Sequence, residues 1–165
     1  MKIIPFEQRY APDFVKLNRQ WLEGLGLIED ADEKYLDSPR ESIIDRGGEI
    51  FFAVEEKAVL GTCAAVRHSG EVVEIAKLAV EPSARRRGIG RLLVQTVIDY
   101  ARRIGARKLW LVSSTRLESA LRLYESMGFV HIPPPPQPIY ASADVYMELA
   151  LFDSARVFDR RQKKR

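Results

Sequence analysis

The sequence predicts an α/β (α+β) protein built on one mixed, mostly antiparallel central sheet of six to seven strands flanked by about four helices. Three observations lead there. The apolar pattern gives the element order β, α, α, β, β, β, α, β, α, β, β. Three consecutive strands in the middle are separated only by tight polar turns, as in an antiparallel meander. The strand, helix, strand passage from Glu71 to Ser113 is a crossover unit, and its loop is where a ligand would sit.

Lys2 to Phe6 reads as a short edge strand, and Phe14, Leu17, Trp21 and Leu25 recur at helical spacing through Ala11 to Leu25. Asp30 to Asp45 is a second helical region, broken at Ser38-Pro39 and stopped at Gly47-Gly48. The meander is Glu49 to Glu55, Val59 to Arg67 and Glu71 to Val80, with Pro82 ending it. From Gly88 the stripe Ile89, Leu93, Val97, Tyr100 and Ile104 predicts a helix of about 16 residues that Gly105 closes. Lys108 to Ser113 is a strand with an apolar centre. Leu117 to Met127 is a helix capped by Gly128. Phe129 to Ile132 and Ala143 to Ala150 are the closing strands, separated by the rigid run Pro133 to Pro138.

A chain of 165 residues fits one domain, placed at residues 1–152, and its 46% hydrophobic and 30% charged residues exclude wholesale disorder. No apolar stretch approaches the roughly 20 residues that span a bilayer, and Met1 to Tyr10 has no signal-peptide core, so a cytoplasmic protein is expected. Cys63 is the single cysteine, which excludes an internal disulfide and a cysteine-based metal framework. His68 and His131 add no ligand spacing, so no metal is expected. The net charge of +3 misleads: residues 153–165 carry six basic and two acidic residues, leaving the body slightly acidic. That basic C-terminal tail reads as a solvated terminus in preference to a nucleic-acid site.

Arg85-Arg86-Arg87-Gly88-Ile89-Gly90 joins a strand end to a helix start, where unpaired backbone N–H groups and the helix dipole favour an anion. Two glycines permit close approach and the arginines add positive potential, which suits a pyrophosphate; an Arg-rich stretch of plain surface is the competing reading. A P-loop is excluded, because no glycine stands four residues before Gly88 and no Lys-Ser or Lys-Thr follows Gly90. Tyr124 shares an inward stripe with Leu117 and Leu121, as a core tyrosine or as a site group. Cys63 reads as packing, His68 as solvent-facing, and His131 as a surface residue with the groove as its alternative. Glu23 to Glu41 holds seven acidic residues against two basic ones, which suits a cationic ligand or merely soluble helices.

Leu78-Ala79-Val80-Glu81-Pro82, the run Arg85 to Gly90, and Ala120 to Phe129 with its Met-Gly-Phe ending together resemble the GNAT superfamily of acyl-CoA-dependent N-acyltransferases. The resemblance covers most of the chain. It implies an N-acetyltransferase that moves acetyl from acetyl-CoA to a primary amine of a small molecule or peptide in a direct ternary complex. A non-catalytic acyl-CoA sensor of the same fold is the alternative. Carried over by position, the backbone of Leu78, Ala79 and Val80 would pair with the pantetheine arm, and Arg85, Arg86, Arg87, Gly88, Ile89, Gly90 and Arg91 would hold the pyrophosphate. Tyr124 matches the position of the proton donor to the departing thiolate. Ser114 stands where many members have an asparagine that contacts the arm. Glu74 matches a position where some members carry a carboxylate base. A carboxylate falls some six pKa units short of an ammonium, about 8 kcal/mol, so a water relay or capture of neutral amine is favoured over direct abstraction. The last strands offer an edge at which two copies would form a homodimer.

Overall fold

The computed structural model describes residues 1–151, so the basic tail lies outside the described residues. β1 (Lys2–Ile4) leads to α1 (Ala11–Gly24), α2 (Asp30–Asp37) and α3 (Pro39–Ser42). The meander follows as β2 (Glu49–Glu55), β3 (Ala58–Arg67) and β4 (Val72–Val80). The crossover is α4 (Ile89–Arg103) and β5 (Lys108–Ser113), and the chain continues through α5 (Glu118–Ser126), β6 (Val130–Ile132) and β7 (Val145–Ala150). The second helical region divides because Pro39 disfavours helical backbone at Ser38, which sits at φ −142°, ψ 67°. Among the described residues no helix is long and apolar enough to cross a membrane.

The seven strands among the described residues form one sheet in the order β1-β2-β3-β4-β5-β7-β6. Only β4 and β5 run parallel, as the intervening helix requires. Period-two alternation gives the sheet two apolar faces. Phe14, Leu22, Ile50 and Phe52 fill the side covered by α1 and α2. Leu93, Val97, Leu109, Leu111 and Met147 fill the side covered by α4 and α5. Each such fully buried side chain contributes roughly 1.5–3 kcal/mol.

Two local features shape the ligand end. A Cβ on Gly61 would stand 3.1 Å from Ile89 and Leu93 side-chain atoms, so this glycine lets the first turns of α4 lie close on β3. In β4 the register moves from Ala64↔Ala76 to Thr62↔Ala79, which inserts one extra residue, and Lys77 takes φ 54°. This is a β-bulge, and it turns the end of β4. Pairing of β4 with β5 accordingly stops at Glu74↔Trp110, although the strands continue to Val80 and Ser113.

Candidate active site

The two parallel strands therefore part like a V. Ala79 and Val80 pair with Thr62 and Gly61 of β3, Leu78 lies in the bulge just before them, and none of the three pairs with β5, so this edge is open to an extended ligand. Immediately beyond, Arg86 at φ 64° and Gly88 at φ 76° bracket Arg87. Such left-handed turns next to a helix start aim successive N–H groups into one concavity, a nest for anions. The space where a Gly88 side chain would project is empty, and a Cβ on Gly90 would reach Leu123 at 3.4 Å. A diphosphate group thus fits this cradle sterically and electrostatically.

The arginines are not equivalent. Arg85 and Arg86 are exposed and make no ion pair among the described residues. Arg87 is held by Glu55 at 2.8 Å, and Arg91 donates to the Ser126 hydroxyl at 2.5 Å. The Ile89 side chain, 1% exposed, belongs to the core, so only its backbone remains for a ligand. The positive potential at the nest therefore rests mainly on Arg85, Arg86 and the helix dipole.

On the α1/α2 side, a cavity of about 90 Å³ opens at the throat of the V, bordered by Trp21, Leu27, Glu74, Lys77, Ser114 and Tyr140. Glu74, although charged, is 4% exposed. Its Oε2 lies 2.6 Å from Nε2 of His68. His68 is accordingly not a free solvent-facing ring; it bonds Glu74 and lies 5.5 Å from the Trp110 ring. Lys77, carried inward by the bulge, forms a buried ion pair with Asp32 and lies over the rings of Tyr35 and Tyr140. Asp32 also accepts the backbone N–H of Glu29 at 2.9 Å, closing the first turn of α2.

Glu29 ties α2 to the loop bearing Tyr140, accepting the N–H of Ala141 at 2.8 Å and the Ser142 hydroxyl at 2.6 Å. Burial pushes the Glu29 carboxyl up, but the bonds from Ser142 and Ala141 outweigh it and hold the group below the usual carboxylate range. Glu33 is paired with Arg19 at 2.5 Å. Part of the acidic stretch is thus committed to internal bonds and does not present free charge to a ligand. The Tyr140 phenol is raised by burial first and then by the carboxylates of Glu74 and Asp32.

Tyr124 occupies the other face. It is 7% exposed, packs edge-on to Phe129 at 5.7 Å, and shares the core of Val73 and Ile75, whose side chains point opposite to Glu74. Burial, then the nearby Cys63 thiol, push its phenol far above the ordinary value. Tyr124 does not border the cavity, so Tyr124 and Glu74 approach one ligand only from opposite sides of the V. Cys63 is fully buried and burial raises its thiol, consistent with packing. His131 pairs with Glu125 at 2.8 Å on the surface, away from the cavity.

Sequence reasoning missed the Lys77–Asp32 pair and the His68–Glu74 bond. The second had a signal: Val66↔Glu74 in the hairpin register puts His68 and Glu74 on one face as diagonal neighbours.

The chain matches the acetyltransferase (GNAT) family over residues 12–129. An N-acetyltransferase of Schizosaccharomyces pombe described as uncharacterized is 30% identical over 122 residues, covering 71% of this chain and 74% of that protein. A [ribosomal protein bS18]-alanine N-acetyltransferase of Salmonella typhimurium is 42% identical over 52 residues, 32% of this chain; the match spans only 35% of that relative's length. Among solved structures, an acetyltransferase of the GNAT family from Staphylococcus aureus superposes with a TM-score of 0.82 at 19% identity, covering 92% and 99% of the two chains. A Bacillus subtilis acetyltransferase in complex with CoA gives 0.69 at 20% identity, covering 92% and 99%. At these identities the superpositions establish the fold.

Proposed function

The chain belongs to the acetyltransferase (GNAT) family, and from that premise we propose that it transfers an acetyl group from acetyl-CoA to a primary amine of a small molecule or a peptide. The observation that carries this is the parted β4–β5 edge beside the nest at Arg86 to Gly88. Support also comes from the solved Bacillus subtilis neighbour with CoA and from the relative named for an alanine amine. The cavity beside Glu74 favours an enzyme over a sensor, since a sensor needs no acceptor site.

Bound acetyl-CoA supplies an activated acetyl thioester. Leu78, Ala79 and Val80 hold the pantetheine arm as an added strand, and Arg85, Arg86 and the backbone from Gly88 to Arg91 hold the diphosphate. Ser114, just beyond β5 on the opposite limb of the V, borders the throat. Glu74 attracts the acceptor ammonium and directs its proton away through water, leaving neutral amine to react. An ammonium with a buried carboxylate is a favourable charge pair, whereas direct abstraction stays about six pKa units uphill.

Tyr124 reaches the leaving sulfur from the far face. Because burial raises its phenol, full proton transfer costs more than the roughly 2 kcal/mol expected for an ordinary tyrosine against a thiol. Its role is therefore a hydrogen bond to sulfur as negative charge develops there, with the net proton coming from solvent. Tyr124→Phe is expected to lower kcat by tenfold or more, on the order of 1.4 kcal/mol, while CoA affinity changes little. Unchanged turnover in steady-state kinetics removes that role.

The acceptor class is tested by thiol release from acetyl-CoA across polyamines, amino acids, aminoglycosides and peptide N-termini. Amine-dependent release is expected for at least one class. Saturable CoA binding without amine-dependent release from any class supports the sensor.

A further inference from the structure

The His68–Glu74 contact is more than packing. Glu74 borders the acceptor cavity and is 4% exposed, whereas the His68 side chain is 36% exposed and does not border it. The two ring and carboxylate atoms stand 2.6 Å apart, and Trp110 backs the imidazole at 5.5 Å between ring centres. His68 is further fixed by its backbone, which donates its N–H to Val72 O at 3.1 Å. A buried carboxylate is thus joined to solvent through one ring.

Resting on the amine-acetylating function proposed above, we infer that His68 is a positioning residue that sets the charge Glu74 presents to the acceptor. A neutral imidazole donates Nε2–H and holds the carboxylate ionised, leaving its negative charge free to attract a cationic amine. An imidazolium claims that carboxylate as its own counterion. The acceptor then meets a neutral pair and a weaker base, so amine use falls wherever the imidazole is protonated.

The other groups around Glu74 are either phenols or already paired. Tyr35 on α2 and Tyr140 on the loop feel the Glu74 charge, and both phenols are raised, so they stay neutral. Lys77 is compensated by Asp32 within the same cavity. On β5 and β7, Lys108 and Glu148 flank Trp110 and pair with each other at 3.3 Å. An imidazole is the side chain whose ordinary value lies between about pH 5 and 8.

The test uses the full chain, saturating acetyl-CoA and the fastest acceptor from the amine panel. Wild type and His68→Gln are compared in kcat/KM for amine from about pH 5.5 to pH 8.5. Glutamine keeps an N–H donor for Glu74 but takes up no proton. Comparing the two chains as a ratio cancels the titration of the amine itself. The expected result is similar rates at the alkaline end of that range, with the variant exceeding wild type by about tenfold or more at the acid end. A ratio independent of pH overturns the inference.

An NMR titration of the wild-type His68 ring reads the same coupling without a substitution. Saturating amine should move its midpoint to lower pH, and an unmoved midpoint again overturns the inference. If Glu74→Gln leaves kcat/KM intact, the failure belongs to the role proposed for Glu74. If Glu74→Gln lowers it while the His68→Gln ratio stays flat, only the inference about His68 fails.

Discussion

Replacing Glu74 by glutamine is expected to lower kcat/KM for the acceptor amine by about a hundredfold or more at neutral pH, within the range by which a positioned acid or base accelerates a reaction. The substitution conserves shape and removes only the charge and the proton-accepting oxygen. Because Glu74 lies at the last paired position before the strands part, its loss should spare the binding edge at Leu78 to Val80 and the nest beyond it. CoA affinity and melting temperature are therefore expected to change little. Equal loss of CoA affinity and activity would make Glu74 a structural residue, and unaltered kinetics would move the amine site elsewhere.

The largest expected effect on stability is at Asp32. Its side chain is 3% exposed and that of its partner Lys77 is 6% exposed, so Asp32→Ala leaves a buried ammonium without a counterion. Removing one member of such a pair costs about 3–5 kcal/mol. Loss of the bond to the Glu29 N–H adds about 1 kcal/mol, the usual worth of a helix cap. Against the roughly 5–15 kcal/mol of a typical domain, this takes about a quarter or more of the stability. For a chain of this size the melting temperature should fall by about 10 °C or more. Lys77→Met in the same background should recover most of the loss, because replacing both partners by apolar groups is close to neutral. A fall of only one or two degrees in scanning calorimetry, or no rescue by the second substitution, would show that the pair does not hold α2 to the bulge.

The sheet and its helices were legible because their signals are periodic and local. The α4 stripe from Ile89 to Ile104 and the apolar runs of β2 to β4 between polar turns each need only neighbouring residues to be read. The loop from Arg85 to Arg91 was legible for the same reason: nest, glycines and helix start are contiguous. The cavity beside Glu74 was not. Asp32 and Lys77 are 45 residues apart, and they meet only because a bulge turns Lys77 inward. A bulge leaves no mark in a stretch such as Ile75 to Val80, which is apolar but for Lys77 itself. Burial of Glu74 likewise depends on Trp21 and Tyr140, which arrive from opposite ends of the chain. The stripe that turned Tyr124 inward was readable, yet its separation from Glu74 by the sheet follows from strand order, which composition and spacing leave open.

Calorimetric titration of the full chain with CoA and, separately, with pantetheine tests the central claim most directly. Saturable CoA binding is expected with a dissociation constant well below about 1 mM, and pantetheine weaker by at least about 1.4 kcal/mol, or tenfold, because it lacks the diphosphate proposed to dock at the nest. Equal affinity for the two ligands, or no saturation by CoA, would contradict it.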